Sequence, residues 1–455
     1  MTAPFLALLS LLAITATLAA VRWRRALFMA LPFLVAMNGV PIRAGGLSIR
    51  LDQVAASLLS IALACELLSG KRTLRLDATT WYLAAILAVN VVASALHSPA
   101  FGYSLAQCAN LASAWITYPI VIMYLDSPEE LELFFTRCMW AGFAATTAGV
   151  AAFVLGVAGV PVGGAEVSTR AAESFAVPYG AFGTMVEPNI FGSYAGAYLL
   201  LATAMFMVKS ADETPRRERL LYALACSSAL ALVVSFTRSA WLAVVVAALI
   251  VLVPSARRLG FRAHRLIAPA IALVVCLIVL LLLPGDAGAF FRFKAMNLVN
   301  IASPTAATRV VIFALALQQS AAHPIIGWGT FTFAAIVAEG ADFARYEGWR
   351  NLWVGNYLLL ALHDTGVIGL GLWIGMLSSI VAPGFRAVRR LSETNPVLAR
   401  RALALLASIA SLLVAYLSTS AFTLAFFWLI AGVLAAHGRL ANRLASPAPA
   451  VTDSE

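Results

Sequence analysis

Charge is what this sequence has least of. Asp, Glu, Lys and Arg together make up 11% of its 455 residues, against roughly a quarter in soluble domains, which need them to coat a water-facing surface. That shortage excludes a cytosolic enzyme and a disordered chain. Cysteine is scarce too: Cys65, Cys108, Cys138, Cys226 and Cys276 all fall within or beside apolar runs. None has CxxC or metal-ligand spacing, which excludes a disulfide scaffold and leaves small core residues. Also absent are GxxxxGK[ST], a helix-opening GxGxxG after a strand, HExxH and a carboxylate pair suited to a metal. No cofactor and no metal site is expected. No cleavable signal peptide is evident, because the first apolar run, 3–21, lacks a basic n-region and is followed by Arg22, Arg24 and Arg25.

What is present is apolar sequence, 62% of the chain, with a mean hydropathy of +0.90. The fold class this dictates is all-α, a polytopic transmembrane bundle. A span needs about 20 apolar residues. Segments of that kind lie near 3–21, 26–42, 51–69, 80–97, 105–125, 139–159, 190–208, 219–236, 238–254, 265–284, 354–382, 401–418 and 421–437, which predicts about 12–13 spans.

The net charge of +10 does not signal nucleic acid, because the basic residues lie in short clusters between apolar runs. One set of alternate loops carries 22 of the 31 Lys and Arg, from Arg22 through Lys71, Arg216, Arg257 and Arg386 to Arg443. That side is expected to be cytoplasmic by the positive-inside rule, with the amino terminus outside and the carboxyl tail inside. Two long segments fall on the other side, 160–189 and 285–353. Loops of such length usually carry function or structure of their own. In the second, Ser303-Pro304 opens a helix that His323-Pro324 stops, and a second short helix follows near 331–339. Both are expected to be amphipathic and to lie at the membrane surface. The organisation read this way is 1–159, N-terminal helices; 160–284, central helices with the first external loop; 285–353, an external subdomain; and 354–455, C-terminal helices and tail.

Few residues stand out for chemistry. Arg238, in Ser235-Phe236-Thr237-Arg238-Ser239, sits between two apolar runs with almost no loop, where a guanidinium either snorkels or meets an anion. Arg309 lies one turn into the external helix. Two arginines converging on one pocket would grip a diphosphate, since guanidinium forks match phosphate oxygens. Asn356 and His363 are seven apart on a helix and so share a direction. Histidine is a candidate general base, or it hydrogen-bonds a neighbouring helix. Glu187, Glu339 and Glu347 are further bases on the same side.

Taken in order, these strings resemble the bacterial O-antigen ligase and polymerase superfamily. They are Thr237-Arg238-Ser239-Ala240-Trp241, the external Arg309, His323-Pro324-Ile325-Ile326-Gly327-Trp328-Gly329, and Asn356-Tyr357-Leu358 running into Asp364-Thr365-Gly366-Val367-Ile368-Gly369-Leu370. Pro188-Asn189-Ile190-Phe191-Gly192 is similar to a further signature, so the likeness covers roughly 180–380. It implies a metal-independent glycosyltransferase of the bacterial inner membrane. Such enzymes take a glycan from an undecaprenyl diphosphate carrier at the periplasmic face and pass it to a glycan or lipid acceptor hydroxyl. Membrane lipids are further partners, and a chain-length regulator protein is a candidate one. By the same resemblance Arg238 and Arg309 bind the diphosphate; the residues themselves offer His363 or Glu347 as the catalytic base. Asn356, Asn189, Glu187 and Arg350 complete the substrate site. Family ligases carry His-Asn where this chain has Gly355-Asn356. That departure favours polymerisation or another transfer over ligation to lipid A core. A transporter or flippase of lipid-linked oligosaccharide would share the spans but not the structured external loop, and would carry charged or broken helices at mid-membrane.

Overall fold

The computed structural model describes residues 21–44, 47–160, 180–207, 214–256, 284–296, 304–339 and 353–445, with a few isolated positions besides. In chain order the elements are α1 (Arg24–Ala36), the hairpin β1 (Pro41–Ala44) and β2 (Leu47–Arg50), α2 (Leu51–Leu68), α3 (Ala78–His97), α4 (Phe101–Trp115), α5 (Thr117–Tyr124) and α6 (Pro128–Val157). Two short strands follow, β3 (Ala165–Glu166) and β4 (Gly180–Ala181), then α7 (Pro188–Met207), α8 (Pro215–Val234) and α9 (Arg238–Ala247), which runs on through a π turn to Ala256. Last come α10 (Gly285–Met296), α11 (Pro304–Ser320), α12 (Phe333–Glu339), α13 (Tyr357–Thr394), α14 (Pro396–Ala415) and α15 (Ala425–Ala445).

The all-α polytopic class is as expected. Among the described residues nine helices are long and apolar enough to cross a membrane, so the chain is a multi-pass membrane protein. Four of the expected spans are not among the nine, and one of them, 219–236, is the described helix α8, whose first turns carry Arg216, Arg217, Glu218 and Arg219. Most of 3–21 and 265–284 lies outside the described residues. The segment 26–42 is only the 13-residue α1, cut short by the β1–β2 hairpin.

Small residues decide what sits at the centre. With no hydrophobic force between helices in lipid, close approach depends on Gly, Ala and Ser. In α7, Gly192 abuts Ser235 and Thr237, and Gly196 abuts Val244. Ser408 of α14 donates to the Ala197 carbonyl at 2.8 Å. The α7 window is 83% buried while that of α9 is 28% buried, which makes α7 the hub and α9 a lipid-facing helix.

Basic residues at one end of the bundle are tied to its few acids. Glu66 pairs with Arg24 and Arg72, Asp126 with Arg72 and Arg75, and Glu132 with Arg217 and Arg401. At the other end α11, expected to lie along the membrane surface, packs on α13 instead. Ala316, Phe333, Val337 and Val354 form a small core, with Ile312, Phe313 and Leu360 against it. Phe313 is therefore turned inward, unlike its neighbours Val310 and Val311. The two valines are exposed.

Candidate functional site

Helix α13 is broken ten residues in. Gly366 takes φ 62°, ψ −164°, a conformation that a residue with a Cβ resists. In a membrane the backbone groups freed by such a break must find partners within the protein. The loop after α11 supplies them. Trp328 and Gly329 donate their N–H groups to the carbonyls of His363 and Asp364 at 3.0 and 2.9 Å, and Val367 and Ile368 donate to Pro324 and Ile325 at 2.8 and 3.3 Å. The His-Pro-Ile-Ile-Gly-Trp-Gly and Asp-Thr-Gly strings are thus the two halves of one joint. Gly327 and Gly366 are needed where they stand: a Cβ on either would meet the other strand's backbone within 2.4 Å.

The joint is clamped on both sides. Thr330 ties it to α3, its N–H donating to Ser94 Oγ at 3.0 Å and its hydroxyl to Asn90 Oδ1 at 2.8 Å. His97 Nδ1 donates to the Gly327 carbonyl at 2.7 Å. The His97 ring stacks on His323, and burial together with His97 holds His323 below the usual histidine pKa. Asp364 Oδ2 accepts the Phe331 N–H at 2.9 Å, and Oδ1 accepts from His363 Nδ1 at 2.8 Å.

Above the joint lies a cavity of about 570 Å³, walled by the α7 N-terminus (Glu187, Ile190), α4 (Tyr103, Gln107, Asn110), the α12 region (Phe331, Phe333) and Thr423. A narrow continuation lined by Phe331, Leu360 and Thr423 reaches down to Asp364 and Thr365. Arg50 also lines the cavity, at the end of the hairpin. It donates to the Thr423 carbonyl at 2.9 Å, to Asn110 Oδ1 at 3.3 Å and to Asp52 Oδ1 at 3.1 Å. The irregular 416–424 segment is anchored by Trp115 and Trp428, whose indole N–H groups both donate to the Phe422 carbonyl.

Two residues other than glycine have positive φ among the described residues, Phe236 (52°) and Phe331 (55°). Such strain in aromatic residues clusters at functional sites. Phe331 lines the cavity. Phe236 belongs to the turn that starts α9 at Arg238, and the hydroxyl of Thr237 in that turn donates to the Pro188 carbonyl at 3.0 Å. Arg238 therefore neighbours Glu187 and Asn189 through one contact. Arg309 shares its helix stripe with Phe313, Ala316 and Ser320, the stripe facing α13. Neither α9 nor α11 lines the cavity itself: Arg238 adjoins its wall through the Thr237–Pro188 bond, and Arg309 stands on the helix packed against α13.

His363 is enclosed by protein. Its ring is fully buried, Nδ1 is taken by Asp364 and Nε2 lies 2.9 Å from the Gln319 amide. A general base needs a nitrogen within reach of the acceptor proton, and this one faces protein on both edges. Asn356 is likewise occupied: its Oδ1 accepts from Leu358 and Leu359 as the α13 N-cap. Gly355, beside it, abuts the Ser418 carbonyl. Glu347 and Arg350 lie outside the described residues. Sequence reasoning misses Arg50, Gln107, Asn110 and Thr423. Two polar residues three apart in an apolar span, Gln107 and Asn110, are the signal that could have found the site's polar wall.

Residues 222–374, which hold Arg238, α11, the joint and the upper half of α13, match the family model described as O-antigen ligase. That third of the chain is similar to the O-antigen ligase family. The resemblance in the motifs is thereby borne out, and a function of the O-antigen ligase and polymerase type follows in general terms. No curated protein matches the chain. The matched stretch ends eight residues past the break at Gly366, so the joint lies wholly inside it.

Proposed function

We propose that this protein polymerises or transfers glycan units from undecaprenyl diphosphate to an acceptor hydroxyl at the periplasmic face, in O-antigen, capsule or exopolysaccharide synthesis. The observation that carries this reading is the cavity above the joint, at the bundle end opposite the arginine-rich one. Its size, its polar wall of Tyr103, Gln107 and Asn110, and its Arg50 suit a sugar with a phosphate beside it.

In the reaction the bond from the sugar's anomeric carbon to the diphosphate breaks as the acceptor oxygen bonds to that carbon. The electron pair leaves with the diphosphate and the acceptor's proton goes to a base. Arg238 and Arg309 are assigned to the leaving diphosphate, where positioned cations stabilise developing charge. Glu187, which lines the cavity, is favoured as the base over His363. Asn189, next to Ile190 on the cavity wall, is assigned to the sugar.

A broken mid-membrane helix is also what a carrier would have. Here the freed backbone groups at Gly366 are bonded to the loop, which leaves no ring of carbonyls for an ion. The test is glycan transfer in vitro from an undecaprenyl diphosphate-linked donor. Arg238→Ala and Arg309→Ala are expected to abolish transfer while the protein still inserts. Normal product from both variants would overturn the assignment, and donor movement without product would make the protein a carrier.

A further inference from the structure

A second cavity, of about 400 Å³, opens at the opposite end of the bundle between α3, α13 and α15. Its charged lining is Arg386, Arg390 and Arg439 against a single acid, Asp77. That acid is already occupied: Asp77 accepts the Thr80 N–H at 2.9 Å as the α3 N-cap, and the Tyr118 hydroxyl at 2.5 Å. Arg24, Arg72, Arg75, Arg217 and Arg401 at this end are spent on Glu66, Asp126 and Glu132. Arg386 makes no hydrogen bond or ion pair among the described residues, and Arg390 reaches only Asn442 Oδ1, at 3.4 Å.

The geometry is that of a cleft for an anion. Arg386 and Arg390 are one turn apart on α13, so they project from one face. Arg439 and Asn442, three apart on α15, line the opposite wall. The floor is sealed by the hydroxyls of Thr79 and Ser379, 2.7 Å apart. The deeper wall is apolar, with Ile380, Pro383 and Leu434.

The depth of the cleft identifies the source of the anion. Beyond its break at Gly366, α13 runs on through residues 367–394, about 42 Å at 1.5 Å per residue, against a hydrocarbon core of about 30 Å. Its end carrying Arg386 and Arg390 therefore reaches headgroup level. Trp81, four residues beyond Asp77 and 63% exposed, marks the same level as an interfacial aromatic does. Basic pockets between transmembrane helices at this depth suit phospholipid headgroups. We infer that the cleft between α3, α13 and α15 binds the phosphate headgroup of an anionic phospholipid, gripped by Arg386, Arg390 and Arg439. This does not rest on the transfer reaction proposed above.

The experiment uses the full chain in phosphatidylcholine nanodiscs, with phosphatidylglycerol titrated in and retained lipid measured by native mass spectrometry. The wild type is expected to retain phosphatidylglycerol preferentially. Arg386→Gln/Arg390→Gln is expected to lose about thirtyfold of that preference, from two basic residues at about 1 kcal/mol each. Arg216→Gln/Arg219→Gln, an exposed basic pair on α8, is expected to keep it. An unchanged preference in the first variant, or an equal loss in the second, would overturn the site. Displacement of the lipid by millimolar glycerol 3-phosphate would overturn the lipid as its ligand.

Discussion

Asp364 and Phe331 are joined across the break in α13: the carboxylate accepts the N–H of a residue held at φ 55°. That bond fixes the strained residue whose ring forms the partition between the wide cavity and its narrow continuation. Asp364→Ala would leave a buried N–H without a partner, at a cost of about 1–3 kcal/mol. Its melting temperature and its product yield are expected to fall together.

His363 donates to Asp364 at 2.8 Å and has no edge on the cavity, which makes it a positioning residue. His363→Ala is expected to lower thermal stability and turnover in parallel. Native stability with a turnover loss of about 100-fold or more, the scale of general base catalysis, would return the histidine to the chemistry.

Two glycines of the same helix separate strain from helix propensity. Gly366→Ala forces a Cβ to within 2.3 Å of the Ile325 carbonyl at positive φ and is expected to destabilise by more than about 1 kcal/mol. A Cβ on Gly371 meets nothing within 4 Å. Gly371→Ala is therefore expected to be neutral or to stabilise by up to about 1 kcal/mol. Thermal melts of the two variants in one detergent check the contrast.

Glu187→Gln tests the base. Turnover is expected to drop by about 10²–10⁴-fold with donor binding retained, read by initial rates against donor titration. Wild-type turnover would remove Glu187 from the reaction.

The loop also predicts a pH dependence. His323 titrates below its unfolded value, because burial and the neighbouring His97 disfavour its charged form. The folded chain thus binds this proton less readily than the unfolded one. Its contribution to stability is full above the unfolded pKa of about 6.5 and is lost as pH falls through the folded value. A melting temperature that declines from pH 7 to pH 5 is expected, and His323→Phe, which keeps a ring against His97 and Trp328, should flatten the decline.

Runs of apolar sequence make most of the bundle legible, and the order of the motifs points to the joint and the turn at Arg238. Helix starts are less legible. The span expected at 139 begins at Pro128, because its first turns carry Glu129, Glu130 and Glu132 and a hydropathy window passes over them, although Ser127-Pro128 is a capping signal. Arg50 is hidden for another reason. Its partners Asn110 and Thr423 are 60 and 373 residues away, and no local pattern reports such distances. The partners of His363 are equally hidden, since spacing gives a side chain's direction but not what already fills the space it points into.

The joint at Gly366 is made almost wholly of main-chain atoms, four bonds between 324–329 and 363–368. The identities of Ile325 and Ile326 hardly enter it, and neither does the number of residues separating the two strands. The stretch between them can thus be lengthened, shortened or rewritten without touching the joint, while a single inserted residue inside either strand would put every bond out of register.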